Sequence, residues 1–175
     1  LRLYNFVDNH DVERLYTKLN VKAHMLPIHY LLYTLPGIPS IYYGTEFDIE
    51  GRKEQWSDAS LRPALRLEEL QETDTTRLIR QLGKVRQKLI ALNDGEYQEL
   101  MLTNRQYAFS RTCMDSLAIT IVNNDENECT CTFHVPLENG VLYDQITKEE
   151  FTVVNSSLTV SISSCNGRIL SPSSL

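Results

Sequence analysis

The chain has 175 residues, room for one mid-sized domain or two small ones. With 42% hydrophobic and 23% charged residues it reads as globular, and no apolar run approaches the roughly 20 residues that cross a bilayer. A formal net charge of −6 argues against nucleic acid and anionic membranes as partners.

The first residue is Leu1 and not Met, and residues 1–11 lack the charged-then-apolar layout of a signal peptide. The expectation is a piece that starts inside a longer protein. Residues 3–7 form a short strand-like run, followed at once by polar Asp8, Asn9, His10 and Asp11. Residues 22–34 are mostly apolar and suit a buried helix, which Pro36-Gly37 stops. Residues 38–43 (IPSIYY) predict a second strand. Residues 44–72 show no period and many charges, so they predict a long loop. Leu78, Leu82, Val85, Leu89 and Leu92 recur at spacings of four and three, one apolar stripe on a long helix that Asp94-Gly95 ends.

Strand, helix, strand, loop, helix is a βαβα unit, and parallel strands need helical cover. Two strands cannot make such a sheet alone. Residues 1–94 fit the last two βα units of a (β/α)8 TIM barrel, a fold of about 250 residues. Residues 95–175 read differently. Eight short strands, at 99–102, 106–111, 117–123, 129–135, 141–144, 151–154, 158–162 and 168–170, alternate with turn residues and predict an antiparallel β-sandwich. Residues 171–175 read as a polar tail. The fold class is thus α/β plus all-β, with the barrel part at 1–94 and the sandwich at 95–175.

The four cysteines, Cys113, Cys129, Cys131 and Cys165, contain no C-x-x-C pair and no histidine at ligand spacing, which argues against zinc. Cys129 and Cys131 share one face of a strand. Free thiols are favoured over a disulfide there, pointing to a reducing, cytoplasmic location.

The sharpest chemical signal is Phe6-Val7-Asp8-Asn9-His10-Asp11. Catalytic groups of parallel α/β barrels sit where strands end, and these polar residues stand at such an end. The segment resembles the F-x-x-N-H-D segment on the seventh barrel strand of glycoside hydrolase family 13, the α-amylase family. Gly37-Ile38-Pro39-Ser40-Ile41-Tyr42-Tyr43-Gly44-Thr45-Glu46 is similar to that family's G-x-P-x-x-x-x-G-x-E segment on the eighth strand. The two occur in the family's order at a fitting spacing and cover about the first third of the chain.

The resemblance implies roles. Asp11 matches the family's third catalytic carboxylate, which grips ring hydroxyls of the glucose unit at the cleavage point; two carboxylate oxygens can accept charge-assisted bonds from them, and negative charge favours an oxocarbenium-like centre. His10 matches the histidine that bonds the same sugar. Arg14 is expected to touch substrate by bracing Asp11 or another carboxylate, with a surface ion pair as the alternative. Asp58 and Arg62 resemble the Asp-x-x-x-Arg pair that binds sugar in neopullulanase and cyclomaltodextrinase relatives, with a merely solvated loop as the alternative. With Ile49-Glu50-Gly51 they lean toward cyclomaltodextrinase, maltogenic amylase or neopullulanase. Trp56 is expected to cap the core rather than stack on a sugar ring, and Glu46 to shape the loop. Tyr42 and Tyr43 are read as strand packing, and His134 as a solvent-facing strand residue.

A retaining glycosidase needs a nucleophile and a general acid about 5–5.5 Å apart. The family carries them on its fourth and fifth strands, which are absent here. The expectation is a parent protein that cleaves α-1,4-glucosidic bonds with retention, acting on starch-derived oligosaccharides or cyclodextrins, and an inactive fragment. The alternative is a non-catalytic amylase-like domain for carbohydrate binding or assembly. No cofactor is implied by these residues; calcium is left open for the parent protein, whose usual calcium ligands would lie upstream. The truncated barrel strands would pair with another copy, swap, or dock on the missing N-terminal part.

Overall fold

A computed structural model describes residues 2–173. Leu1 and the last two residues of the tail read over 171–175 lie outside the described residues; Ser171 itself belongs to the final strand.

The first half begins with β1 (Tyr4–Asn5), a one-turn helix α1 (Leu15–Lys18), and a 3-10 turn at Lys22–His24 that runs into α2 (Met25–Thr34). β2 (Ile38–Pro39) follows, paired parallel to β1 with Tyr4 opposite Ile38 and Asn5 opposite Pro39. Both strands are shorter than the sequence predicts. Among the described residues each strand pairs only with the other, over two residues. Tyr42 and Tyr43 lie beyond β2 and are not strand packing.

Residues 44–72 form the predicted long loop, with 3-10 turns at Thr45–Phe47 and Leu67–Glu69. Then come α3 (Asp74–Lys88) and α4 (Ile90–Asp94). Thr73 caps α3: its hydroxyl accepts the Thr76 N–H at 3.2 Å, and Thr76 returns a bond to the Thr73 N–H. The single long helix expected to Asp94 is broken at Leu89, whose φ of −92° and ψ of 100° are extended. The Asn93 side chain donates to the Arg86 carbonyl at 3.0 Å, satisfying an acceptor near the break. The break turns Ala91 and Leu92, both fully buried, onto the sheet below.

The second half is one eight-stranded antiparallel sheet: β3 (Glu96–Leu102), β4 (Gln106–Cys113), β5 (Ser116–Asn123), β6 (Cys129–His134), β7 (Gly140–Asp144), β8 (Glu150–Val154), β9 (Ser157–Ile162) and β10 (Asn166–Ser171). Their spatial order is β3-β4-β5-β10-β7-β8-β9-β6. Each of the eight predicted strands is present, most of them extended by a residue or more. The sheet doubles over, so that β5 meets β9 and β3 meets β6. Inside the fold lie Ile119, Ile121, Leu142, Leu158, Ile162 and Leu170, each fully buried and worth ~1.5–3 kcal/mol of transfer free energy. On β6, Thr130, Thr132 and His134 face water while Phe133 is buried, the alternation read from sequence.

The helices share a second core with this sheet. Leu78, Leu82, Val85 and Leu92 pack with Ala118 and Val122 of β5 and Ile169 of β10. The apolar face of the helices is therefore covered by the sandwich-like half. Two buried arginines fasten the joint. Arg86 donates to the carbonyls of Tyr33 and Gly37, both at 2.5 Å, and Arg111 to those of Thr34 at 2.9 Å and Gly95 at 3.0 Å. Together they satisfy carbonyls at the C-terminus of α2, where positive charge is favoured.

The four cysteines are free; the Cys129 and Cys131 sulfurs lie 3.9 Å apart, well beyond a disulfide bond of about 2.05 Å. Among the described residues no helix is long and apolar enough to cross a membrane.

Candidate active site

The site is assembled where β1 and β2 run out. Asp8, the first polar residue after β1, is only 2% exposed. Its carboxylate accepts the Leu15 N–H at 2.8 Å and the Thr45 hydroxyl at 2.8 and 3.0 Å. One buried carboxylate thus ties the end of β1 to the start of α1 and to the turn after Gly44. Gly44 has φ of 91°, a left-handed conformation that glycine adopts without strain.

Fixing Asp8 inward leaves His10 and Asp11 on the surface. The Asp11 N–H donates to the Asn9 side-chain oxygen at 2.8 Å, a local turn that sets the loop's direction. His10 Nε2 lies 3.2 Å from Asp11 Oδ2, and the His10 ring sits 6.3 Å from that of Tyr42. Arg62 Nη2 lies 3.6 Å from Asp11 Oδ1 and 3.5 Å from Asp58 Oδ2. Lys53 donates to the Asp11 carbonyl at 2.9 Å. His10, Asp11, Asp58 and Arg62 therefore form one cluster, although about fifty residues separate the first pair from the second in sequence. Their side chains are roughly half exposed, at 50, 61, 45 and 49%, and open to an incoming ligand.

Arg14 does not join them. The expectation that it braces Asp11 and touches substrate is corrected: Arg14 is fully buried. Its guanidinium donates to the Tyr43 carbonyl at 2.7 Å and the Leu61 carbonyl at 2.8 Å, and lies 4.2 Å above the Tyr42 ring. The Arg14 N–H donates to the Gly51 carbonyl at 2.9 Å. Arg14 is a peg beneath the cluster, holding the end of the IPSIYY segment against the loop that carries Arg62. Gly51 admits it: a Cβ there would stand 2.4 Å from the Ser60 carbonyl oxygen and 2.9 Å from the Arg14 side chain.

Trp56 is also corrected. It is 89% exposed and caps no core. Glu46 acts through its backbone, whose carbonyl accepts the Thr76 hydroxyl at 2.6 Å and anchors the loop to α3. Asp8, read from sequence with Asn9, His10 and Asp11 as a strand-end group open to a cleft, is corrected: it is buried and structural. Tyr42, read as strand packing, lies against His10 and Arg14 instead. Lys53 is the contributor that sequence reasoning missed, one charge among many in a loop without a period. Among the described residues no group of three or more His, Cys, Asp or Glu could hold a metal ion.

Two observations converge here: a parallel strand pair, and a carboxylate–histidine pair at its end. The α-amylase catalytic-domain family matches residues 2–116. The chain belongs to the α-amylase family. Among curated relatives it is similar to the cyclomaltodextrin glucanotransferase of Bacillus sp. (strain 1-1), with 30% identity over 142 residues, 81% of this chain and 20% of that protein. It is also similar to the cyclomaltodextrinase of Thermoanaerobacter pseudethanolicus (strain ATCC 33223 / 39E), 28% identical over 127 residues, 72% of this chain and 22% of that protein. In fold it resembles the α-amylase of Geobacillus thermoleovorans solved in complex with acarbose, with a TM-score of 0.83 at 20% identity, covering 97% of this chain and 38% of that one. The chain thus spans about a fifth of the length of the curated relatives it matches.

Proposed function

We propose that β1 and β2 are the last two strands of a (β/α)8 barrel, and that the protein carrying them cleaves α-1,4-glucosidic bonds of starch-derived oligosaccharides or cyclodextrins with retention of configuration. The observation that carries this reading is the Asp11–His10–Arg62–Asp58 cluster at the end of a parallel strand pair, in a member of the α-amylase family. The names of the curated relatives and the acarbose bound to the structural neighbour support α-glucans as the substrate class.

In this mechanism Asp11 accepts hydrogen bonds from adjacent hydroxyls of the sugar at the cleavage point. Those bonds strengthen as the ring flattens toward an oxocarbenium-like state, so they lower the barrier more than they tighten ground-state binding. His10 donates to the same sugar. Asp58 and Arg62 hold the next unit of the chain, with Arg62 also keeping Asp11 aimed outward. The nucleophile and general acid come from residues outside these 175, so this chain by itself turns nothing over. Calcium, where the protein binds it, is likewise held elsewhere.

The exposed edge of the strand pair fits this reading. Leu3, Tyr4, Phe6 and Ile38 are 64, 66, 49 and 48% exposed, beside an apolar groove of about 590 Å³ between β1 and α2. The preceding barrel segments would cover it. The free thiols suit a reducing, cytoplasmic location.

The test follows maltoheptaose cleavage by the full-length protein with ¹H NMR. The new reducing end should appear first as the α-anomer. A β-anomeric first product, or appreciable turnover by the 175-residue chain alone, would contradict the proposal.

A further inference from the structure

Residues 52–60 form a projecting loop whose base is closed by the Ser60 hydroxyl donating to the Arg52 carbonyl. Trp56 stands midway between those two residues, at the tip, and is the chain's sole tryptophan. Beside the closed base the loop is pinned to the candidate site from both sides, by Lys53 on the Asp11 carbonyl and by Asp58 on Arg62. Two residues of chain span at most about 7 Å, so the Trp56 backbone lies that close to Asp58. An indole at 89% exposure leaves most of a large apolar face in water, on a backbone that lies within about 7 Å of that of Asp58, a residue suited to sugar hydroxyls. Sugars present that same pairing of an apolar ring face with a polar rim.

We propose that Trp56 is a stacking platform for a glucose unit of an α-glucan chain, outside the unit held by Asp11 and His10, and that it sets a preference for longer chains. The proposal rests on the glycosidase reading of the cluster. Trp56 touches a remote part of the substrate, so its binding energy is the same in ground and transition states. Its loss therefore raises KM for long chains and leaves kcat largely as it was.

A single tryptophan makes the test direct. The 175-residue chain is titrated with maltose and with maltoheptaose, while Trp56 fluorescence and the backbone amide shifts of His10 and Asp11 are followed together. Maltoheptaose should move the emission to shorter wavelength and shift the His10 and Asp11 amides with one common Kd. Trp56→Ala should raise the maltoheptaose Kd roughly tenfold and leave that of maltose unchanged, with Trp56→Phe between. If the His10 and Asp11 amides shift but the fluorescence stays constant and Trp56→Ala binds maltoheptaose normally, the platform is refuted and the glycosidase reading stands. An equal loss for both sugars in Trp56→Ala also refutes it. If the amides do not shift with either sugar at millimolar concentration, the reading of the cluster fails as well.

Discussion

Arg62 Nη2 stands between two carboxylates, 3.6 Å from Asp11 and 3.5 Å from Asp58, and joins the loop after β1 to the loop after β2. Exposed ion pairs of this kind are worth little to the fold. Their value here is in placement: one guanidinium aims two carboxylates of different loops toward the same ligand.

Replacing Arg62 by Ala should therefore leave stability within about 0.5 kcal/mol of the parent value, measured by urea unfolding of the 175-residue chain. In the full-length protein the same change should raise KM for maltooligosaccharides about tenfold. A large loss of stability with unchanged KM would show that the pair is structural.

Arg14 predicts the opposite pattern. Arg14→Ala strands the carbonyls of Tyr43 and Leu61 and empties the space over the Tyr42 ring. The expected cost is about 3 kcal/mol in urea unfolding. Arg14→Lys should recover little, because a single ammonium does not reproduce the planar fork that reaches both carbonyls. Full recovery by Lys would indicate that charge alone matters at that position.

His29 sets a pH dependence. It is fully buried on α2, and its Nδ1–H donates to the Met25 carbonyl at 2.7 Å. Burial lowers its pKa below 6.5, against the raising influence of the Met25 carbonyl and of Asp48. Below pH 6.5 the unfolded chain takes up a proton that the folded chain refuses, so this contribution to stability is complete above pH 6.5 and is lost as pH falls from there toward the folded pKa. The midpoint in urea should drop between pH 7 and 5, and drop less in His29→Gln. A midpoint insensitive to pH over that range would refute the assignment.

The paired thiols give a chemical readout. Burial, with Cys131 next to it, pushes the Cys129 thiol up to about 11. At pH 8 its alkylation by iodoacetamide should be roughly a hundredfold slower than that of a cysteine in the unfolded chain, and should accelerate as pH approaches 11. Fast labelling at pH 8 would mean that the β6 edge opens in solution.

His10 and Asp11 stand out in the sequence because they follow closely on an apolar run, where strand ends expose polar groups; Asp8, in the same segment, turns inward instead. Asp58 and Arg62, about fifty residues further on, were picked out only by the family resemblance. The eight later strands were legible for a similar local reason, alternating polarity between turn residues. Arg14 was not: its partners are backbone carbonyls 29 and 47 residues away, invisible to side-chain pattern. The break at Leu89 was not either, since no glycine or proline marks it and its cause is the packing of Ala91 and Leu92 on the sheet. Trp56 was misread because hydrophobicity alone argues for burial, whereas the loop closed by Ser60 and Arg52 holds it outward. The lengths of β1 and β2 depend on neighbouring strands, which no local pattern records.

The whole account turns on whether Asp11 grips a sugar as its bond breaks. The most direct measurement is kcat/KM of Asp11→Asn in the full-length protein on maltoheptaose, alongside its urea midpoint. With Asp11 exposed, the midpoint should stay unchanged, while kcat falls by about 10²–10³-fold and KM changes little. An Asp11→Asn protein that folds normally and cleaves maltoheptaose at the parent rate would contradict the assignment of this cluster to the cleavage site.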